Sequence, residues 1–222
     1  MINLLSGHNT KNMKKIYLKL IFVIVTFSSS AQFDPEAELI LESMSTKYKS
    51  KSAFMSTFEQ NLINEMSIVN ESISGTIYVK GDKYKLEIAG QIIFNDGQDL
   101  WSYSEEIMEV TVSTYDKEEQ DISLTNIWDL YKEGYKYGLN LPDKQGNWII
   151  DLEPIERGVE AFYKIRMVIT KEYDLKSFRI FEESGNQYNY TINKLINRSD
   201  LTDDFFTFDL AQYPEVEIID FR

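Results

Sequence analysis

The chain of 222 residues contains no cysteine and a single histidine, His8. Without cysteine there is no disulfide, no thiol nucleophile and no cysteine to carry a lipid anchor. His8 sits in an N-terminal stretch that reads as an export signal. Met13-Lys14-Lys15 makes a basic start, Ile16 to Phe27 is apolar apart from Lys19 and Thr26, and Ser28-Ser29-Ser30-Ala31 offers small residues for cleavage. The apolar run is too short to span a bilayer stably, so cleavage before Gln32 is expected rather than an uncleaved anchor. Residues 1–31 are then an N-terminal extension and signal, with Met13 as a natural start, and 32–222 form one domain. The mature chain retains no histidine. Ser-His-Asp and Cys-His catalysis are excluded for it, as are zinc sites of the usual kind, and no cofactor or metal is expected.

Positive charge is also scarce. The whole chain carries a net charge of −13; residues 1–31 hold four of its 23 basic residues and no acid, which leaves 19 basic against 36 acidic residues and a net charge near −17. Such a surface disfavours nucleic acid and anionic lipid head groups. Carboxylate-only chemistry such as glycoside hydrolysis stays open. Among so many acids, however, pairs such as Glu105-Glu106 and Asp203-Asp204 read as solvated surface, so no catalytic residue is assigned and the chain is not expected to be an enzyme.

Asp34-Pro35 supplies a helix cap and a proline at the first helical position, and Ala37, Ile40, Leu41, Met44 and Tyr48 follow as one apolar stripe, predicting a helix over 35–49. Strand patterns fill most of the rest, at 53–62, 75–80, 83–88, 91–95, 99–103, 107–113, 147–153, 162–170, 175–183 and 187–195, separated by turns such as Gly81-Asp82 and Ser184-Gly185-Asn186. These strands imply a curved antiparallel sheet, consecutively paired. One segment, 123–137, places Leu124, Ile127, Trp128 and Tyr131 on a helical stripe with Leu130 beside it, Ser123 as N-cap and Gly134 and Gly138 as stops, and predicts a second helix over the sheet.

Several of these strands carry motifs. Phe54-x-x-x-Phe58-x-Gln60 follows the first helix, and Gly75-x-Ile77-Tyr78-Val79-Lys80 comes next. Asp96-Gly97-Gln98-Asp99-Leu100-Trp101-Ser102-Tyr103 forms a hairpin signature, and Phe206-Thr207-Phe208 with Val216-Glu217-Ile218-Ile219-Asp220 closes the chain. In this order they resemble the outer-membrane lipoprotein carrier (LolA) family across the mature chain. The resemblance implies a mainly β fold, an incomplete, half-open barrel covered by helices around an apolar cavity. It implies a soluble periplasmic carrier that takes lipoprotein acyl chains from an inner-membrane ABC transporter to an outer-membrane acceptor, without catalysis or nucleotide, and a monomer is expected.

Carried over residue by residue, the resemblance makes Phe54, Tyr84 and Phe178 cavity aromatics and Ile93 an aliphatic cavity position near the lid. Phe58 shares a face with Phe54, and Leu86 shares one with Tyr84. Leu124, Ile127, Trp128 and Tyr131 are the lid, from periodicity alone. Ordinary core packing is the competing assignment for all of them. Two other functions remain open on the same scaffold: a module for another lipophilic cargo, such as a glycolipid or pigment precursor, and a receptor or regulatory domain with a filled interior. One departure stands out. The family commonly follows this strand with an Arg-Pro whose arginine latches the lid, whereas here it reads Val79-Lys80-Gly81-Asp82, which leaves Lys80, Lys83 or Lys85 as substitutes.

Overall fold

The computed structural model describes residues 33–64, 66, 68–116, 122 and 124–222. The export signal, His8, Gln32 and the Ser123 cap lie outside the described residues.

Helix α1 (Pro35–Lys49) forms where the stripe predicts it. The Asp34 Oδ1 accepts from the Glu36 and Ala37 backbone N–H groups at 2.9 and 3.3 Å, while Glu36 and Glu38 open the helix and Lys47 and Lys49 close it. Ala37, Ile40, Leu41, Met44 and Tyr48 are buried beneath it.

The strands are β1 (Phe54–Asn64), β2 (Val69–Lys80), β3 (Lys83–Ile88), β4 (Gln91–Asn95), β5 (Asp99–Ser104) and β6 (Glu109–Thr114), then β7 (Tyr135–Asn140), β8 (Trp148–Pro154), β9 (Phe162–Ile169), β10 (Leu175–Glu182), β11 (Gln187–Asn197) and β12 (Glu217–Asp220). They make one open sheet of twelve strands in the order β12-β6-β5-β4-β3-β2-β1-β11-β10-β9-β8-β7. Tight reversals follow from glycine: Gly81 has φ +60°, and Ala89-Gly90 both have positive φ, the backbone of a two-residue hairpin turn. Consecutive pairing holds within β1–β6 and within β7–β11, but two joins depart from it. β1 lies antiparallel to β11, Phe54 opposite Asn197 and Ile63 opposite Gln187, and β12 runs parallel to β6. β2 also begins six residues before the expected strand, through the exposed stretch Val69–Ser74.

The second helix does not form. Leu124–Asp129 is a series of turns, Leu130–Lys132 a single 3-10 turn, and Tyr135 already belongs to β7. Gly134, at φ +81°, separates them. A stretch of about ten residues before such a break gains little helical stability of its own, so packing decides its backbone. The turns keep i→i+3 bonds instead, from the Asp129 N–H to the Asn126 carbonyl at 3.1 Å and from the Lys132 N–H to the Asp129 carbonyl at 3.0 Å. That spacing still turns Leu124, Ile127, Trp128 and Tyr131 inward, and all four are buried. α1 is thus the one α-helix among the described residues, and the rest of the cover on this face is irregular.

The largest core lies between these covers and β1–β3 and β7–β10. Further apolar clusters form around Phe94, Tyr103, Val110 and Phe208, and around Ala53, Leu201 and Phe206, where the segment before β12 packs on the sheet.

Candidate functional site: a tyrosine-walled cavity under an irregular cover

A cavity of about 1080 Å³ lies beneath the 122–133 segment. Phe54 of β1, Val79 of β2 and Tyr84 of β3 stand level at one end of the strands, where they are direct pairing partners. Ile180 on β10 and Tyr188 and Tyr190 on β11 continue the wall, which ends at Phe162 and Glu182, again partners in the ladder. Tyr48 of α1, Tyr115 and Trp128 complete it. Aromatic faces supply apolar area without leaving backbone groups bare, and hydroxyls place hydrogen-bonding atoms among them. Burial, followed by the neighbouring Tyr115, pushes the Tyr84 phenol up to about 12, and burial also raises Tyr48.

Of the expected cavity residues, Phe54 and Tyr84 line this wall, and Trp128 of the expected lid faces it. Phe178 does not. It is 1% exposed and lies one ring deeper, stacked on Tyr190 at 4.4 Å between centroids. Phe58 is likewise in the core and meets Tyr190 at 6.2 Å. Leu86 and Ile93 are partly buried against the same core, and Leu124, Ile127 and Tyr131 are within it. Tyr188, Tyr190, Tyr115, Tyr135 and Phe162 are not singled out by the sequence. The signal available for the β11 pair is the alternation Tyr188, Tyr190, Ile192 along one face of the strand.

The lysines in the place of the latching arginine do not reach the cover. Lys80 donates to the Leu201 carbonyl at 2.9 Å and pairs with Asp203 at 2.7 Å, and Lys83 pairs with the same carboxylate at 2.9 Å. Lys85 pairs with Glu87 and lies over the Phe94 and Phe205 rings. These contacts fasten the segment before β12.

The 122–133 cover is held from α1 instead. The Asp129 carboxylate accepts from the Ser45 hydroxyl at 2.6 Å and pairs with Lys49 at 2.7 Å and with Lys132 at 3.0 Å. Beside it, Trp128 stacks on Tyr48 at 3.6 Å and meets the edge of Phe54 at 6.0 Å. Among the described residues, the buried Trp128 Nε1–H has no acceptor. An unmet donor costs about 1–3 kcal/mol, a cost relieved when water enters. Opening of the cover works against the burial of Leu124, Ile127 and Tyr131 and the ring contacts, whereas the exposed ion pairs add only about 0.2–1 kcal/mol each.

Burial pushes the Asp129 carboxyl up, but the bonds from Lys49, Ser45 and Lys132 outweigh it and hold the group below the ordinary carboxylate range. A depressed carboxyl stabilises the closed cover above its unfolded pKa and loses that contribution as pH falls through the folded one. Asp129→Asn should therefore loosen residues 124–132 at neutral pH, with a global stability loss below about 1 kcal/mol. The check is hydrogen exchange. Protection there should fall in the variant at pH 7, and in the wild type only as pH drops below about 4. Equal protection of the two proteins at pH 7 would remove Asp129 from this role.

Comparison with known proteins agrees with the fold. An uncharacterised conserved protein from Thermus thermophilus superposes with a TM-score of 0.54 at 12% identity, covering 83% of this chain and 99% of its own. A LolA superfamily protein from Nitrosomonas europaea gives 0.45 at 14% identity, with 78% and 98% covered. Lipoprotein LppX from Mycobacterium tuberculosis gives 0.44 at 12%, with 73% and 96% covered. No curated protein matches in sequence. The family model for the outer membrane lipoprotein carrier protein LolA matches residues 49–209, which takes in β1 to β11, the cover and the cavity lining apart from Tyr48. The chain belongs to the LolA family.

Proposed function

We propose that this protein is a soluble periplasmic carrier that shelters lipoprotein acyl chains in the tyrosine-walled cavity and ferries them from the inner to the outer membrane. The observation that carries the reading is the cavity itself, about 1080 Å³ bordered by Phe54, Val79, Tyr84, Trp128, Ile180 and other apolar side chains together with lysines and carboxylates. That is at the upper end of the usual ligand-site range, whereas a receptor or regulatory domain with a filled interior would not present it. Exposing an acyl chain costs about 0.8 kcal/mol per CH₂, so a chain of about fifteen costs on the order of 12 kcal/mol and does not cross water unaided.

A carrier must also release its load. A cover of turns, held by Asp129, a few rings and the buried Leu124 and Ile127, opens more readily than a packed helix pair. The chain would work as a monomer, loaded by an inner-membrane ABC transporter and emptied by an outer-membrane acceptor, with no chemistry of its own. A second reading, carriage of another lipophilic cargo such as a glycolipid, is favoured by the tyrosines on the wall, which offer more polar contact than hydrocarbon requires.

Native mass spectrometry of protein purified from its own cell envelope tests the two. A co-purified acylated peptide is expected. A glycolipid mass would select the second reading. Protein without adduct that also fails to bind a triacylated peptide would remove both.

A further inference from the structure

The sheet has a second face, turned away from the cavity and its cover. Tyr188 and Tyr190 border the cavity, and Phe178, Ile180, Ile165 and Met167 are buried, so Asn189, Arg179 and Arg166 between them point the other way. The ladder sets one outward row of directly paired residues across six strands: Ser72, Asn61, Asn189, Arg179, Arg166 and Asp151. Each of the six side chains can hydrogen-bond, and none is aliphatic.

Charge on this row runs against that of the chain. The sequence holds 36 acidic and 23 basic residues, yet Arg179 stands directly opposite Arg166, and Lys164 lies two residues from Arg166 on the same face. Like charges placed opposite each other destabilise a strand pair. Asp151 is taken up by Arg166 through two bonds of 2.7 Å, and Glu153, further along the face, pairs with Lys136 at 3.0 Å. Among the described residues Lys164 and Arg179 have no carboxylate partner. Lys164 lies over the Phe181 ring at 4.4 Å, and Arg179 reaches the Gln187 amide oxygen at 3.4 Å. An anion set among the three cations would relieve their repulsion.

The other half of the row is different. Asn189 and Asn61 present amides, and Glu59 beside them accepts from the Asn61 amide at 3.3 Å and the Ser72 hydroxyl at 2.8 Å. Such a mixture suits hydroxyl groups, which donate to a carboxylate and both donate to and accept from an amide. Tyr163, 46% exposed and 6.1 Å from Phe181, adds an aromatic face of the kind on which sugar rings stack. Neighbouring strands stand about 4.8 Å apart, close to the length of one sugar unit in an extended glycan, and the row is roughly 24 Å long. An anionic bilayer would call for more cations and an acidic protein for a contiguous apolar centre, and the row has neither. We infer that this row binds an extended glycan bearing carboxylates, one sugar over each strand, with a carboxylate held by Lys164 and Arg179. The inference is independent of the carrier reading, since none of the six residues borders the cavity.

Titration of the full mature chain with oligomers of one length tests it. Hexagalacturonate should bind about tenfold more tightly than uncharged cellohexaose at low salt, and the ratio should shrink as salt rises. Hexaglutamate, with as many carboxylates but no sugar hydroxyls, should bind at least about tenfold more weakly than hexagalacturonate. Lys164→Gln/Arg179→Gln should weaken hexagalacturonate about tenfold and leave cellohexaose alone. Asn61→Ala/Asn189→Ala should weaken both sugars several-fold. Lys144→Gln/Lys171→Gln, which removes as much charge elsewhere, should change neither. Absence of hexagalacturonate binding, or equal losses in the two charge-removing variants, would overturn the site. So would hexaglutamate or phosphatidylglycerol vesicles bound as tightly as hexagalacturonate, which would make the row a general anion surface. The carrier reading stands in each of these cases.

Discussion

Phe178→Glu is expected not to fold. The ring is 1% exposed, faces Tyr190 on β11 as its stacked partner, and stands opposite Met167 on β9, itself 1% exposed. No water-filled space adjoins it to hydrate a carboxylate, since the cavity stops at Tyr190. Losing a buried phenylalanine costs about 3–5 kcal/mol before any charge is considered. An unpaired buried charge adds several more, unless the group stays protonated. Against a total stability of about 5–15 kcal/mol, the variant should lose its β-sheet circular dichroism at neutral pH, whereas Phe178→Leu keeps it. A folded Phe178→Glu would mean that the cavity extends behind Tyr190.

Trp128→Ala should act almost oppositely, freeing the cover while leaving the sheet intact. Removal of a buried tryptophan carries about 3–5 kcal/mol where the whole fold feels it. Here the ring bridges Tyr48 and Phe54 from a segment of short turns that Asp129 and the buried Leu124, Ile127 and Tyr131 also hold, so the loss falls first on local opening. The unmet indole donor disappears as well, which offsets part of the cost. Hydrogen exchange over 124–132 should approach that of an exposed loop, an apolar fluorophore should enter faster, and the far-ultraviolet spectrum should hold. Cooperative unfolding of the whole domain would show instead that the cover is an integral part of the core.

The sequence makes each element legible where periodicity has one interpretation. α1 has a cap, a first-turn proline and an unbroken stripe, and it forms as expected. The 123–137 stretch has the stripe alone. Spacing of three and four residues marks a buried side in consecutive turns as well as in a helix, so the inward residues are identifiable from it and their backbone is not. β7 is hidden for the same reason: Tyr135, Tyr137 and Leu139 alternate, but the helical reading of 123–137 already takes in the first two.

For the cavity, alternation shows which face a side chain takes, and Phe54 and Tyr84 lie on the face that borders the cavity. Whether that face meets another side chain or a void depends on the cover, which the strand pattern does not encode. Phe178 and Tyr190 are adjacent on neighbouring strands, and only the structure separates the core ring from the wall ring. The displaced latch is partly legible. Lys85 follows Tyr84 on the strand, so a strand that turns Tyr84 toward the cavity turns Lys85 away from it, while Lys83 at the strand's start borders the cavity and is held by Asp203.

The antiparallel seam between β1 and β11 also sets the order in which the molecule can assemble. β1 finds one neighbour at once, because β2 follows through a short hairpin, but its other edge waits for residues 187–197, more than a hundred residues later. Closing so long a loop is slow, and it comes before the contacts that reward it. Until then the growing chain is two separate meanders, β1–β6 and β7–β10, each with an edge of unpaired backbone groups that invites association with other chains. Parallel pairing of β12 with β6 comes later still in the sequence. The sheet is therefore completed only when almost its last strands are available, and until then its unpaired edges stay open to association.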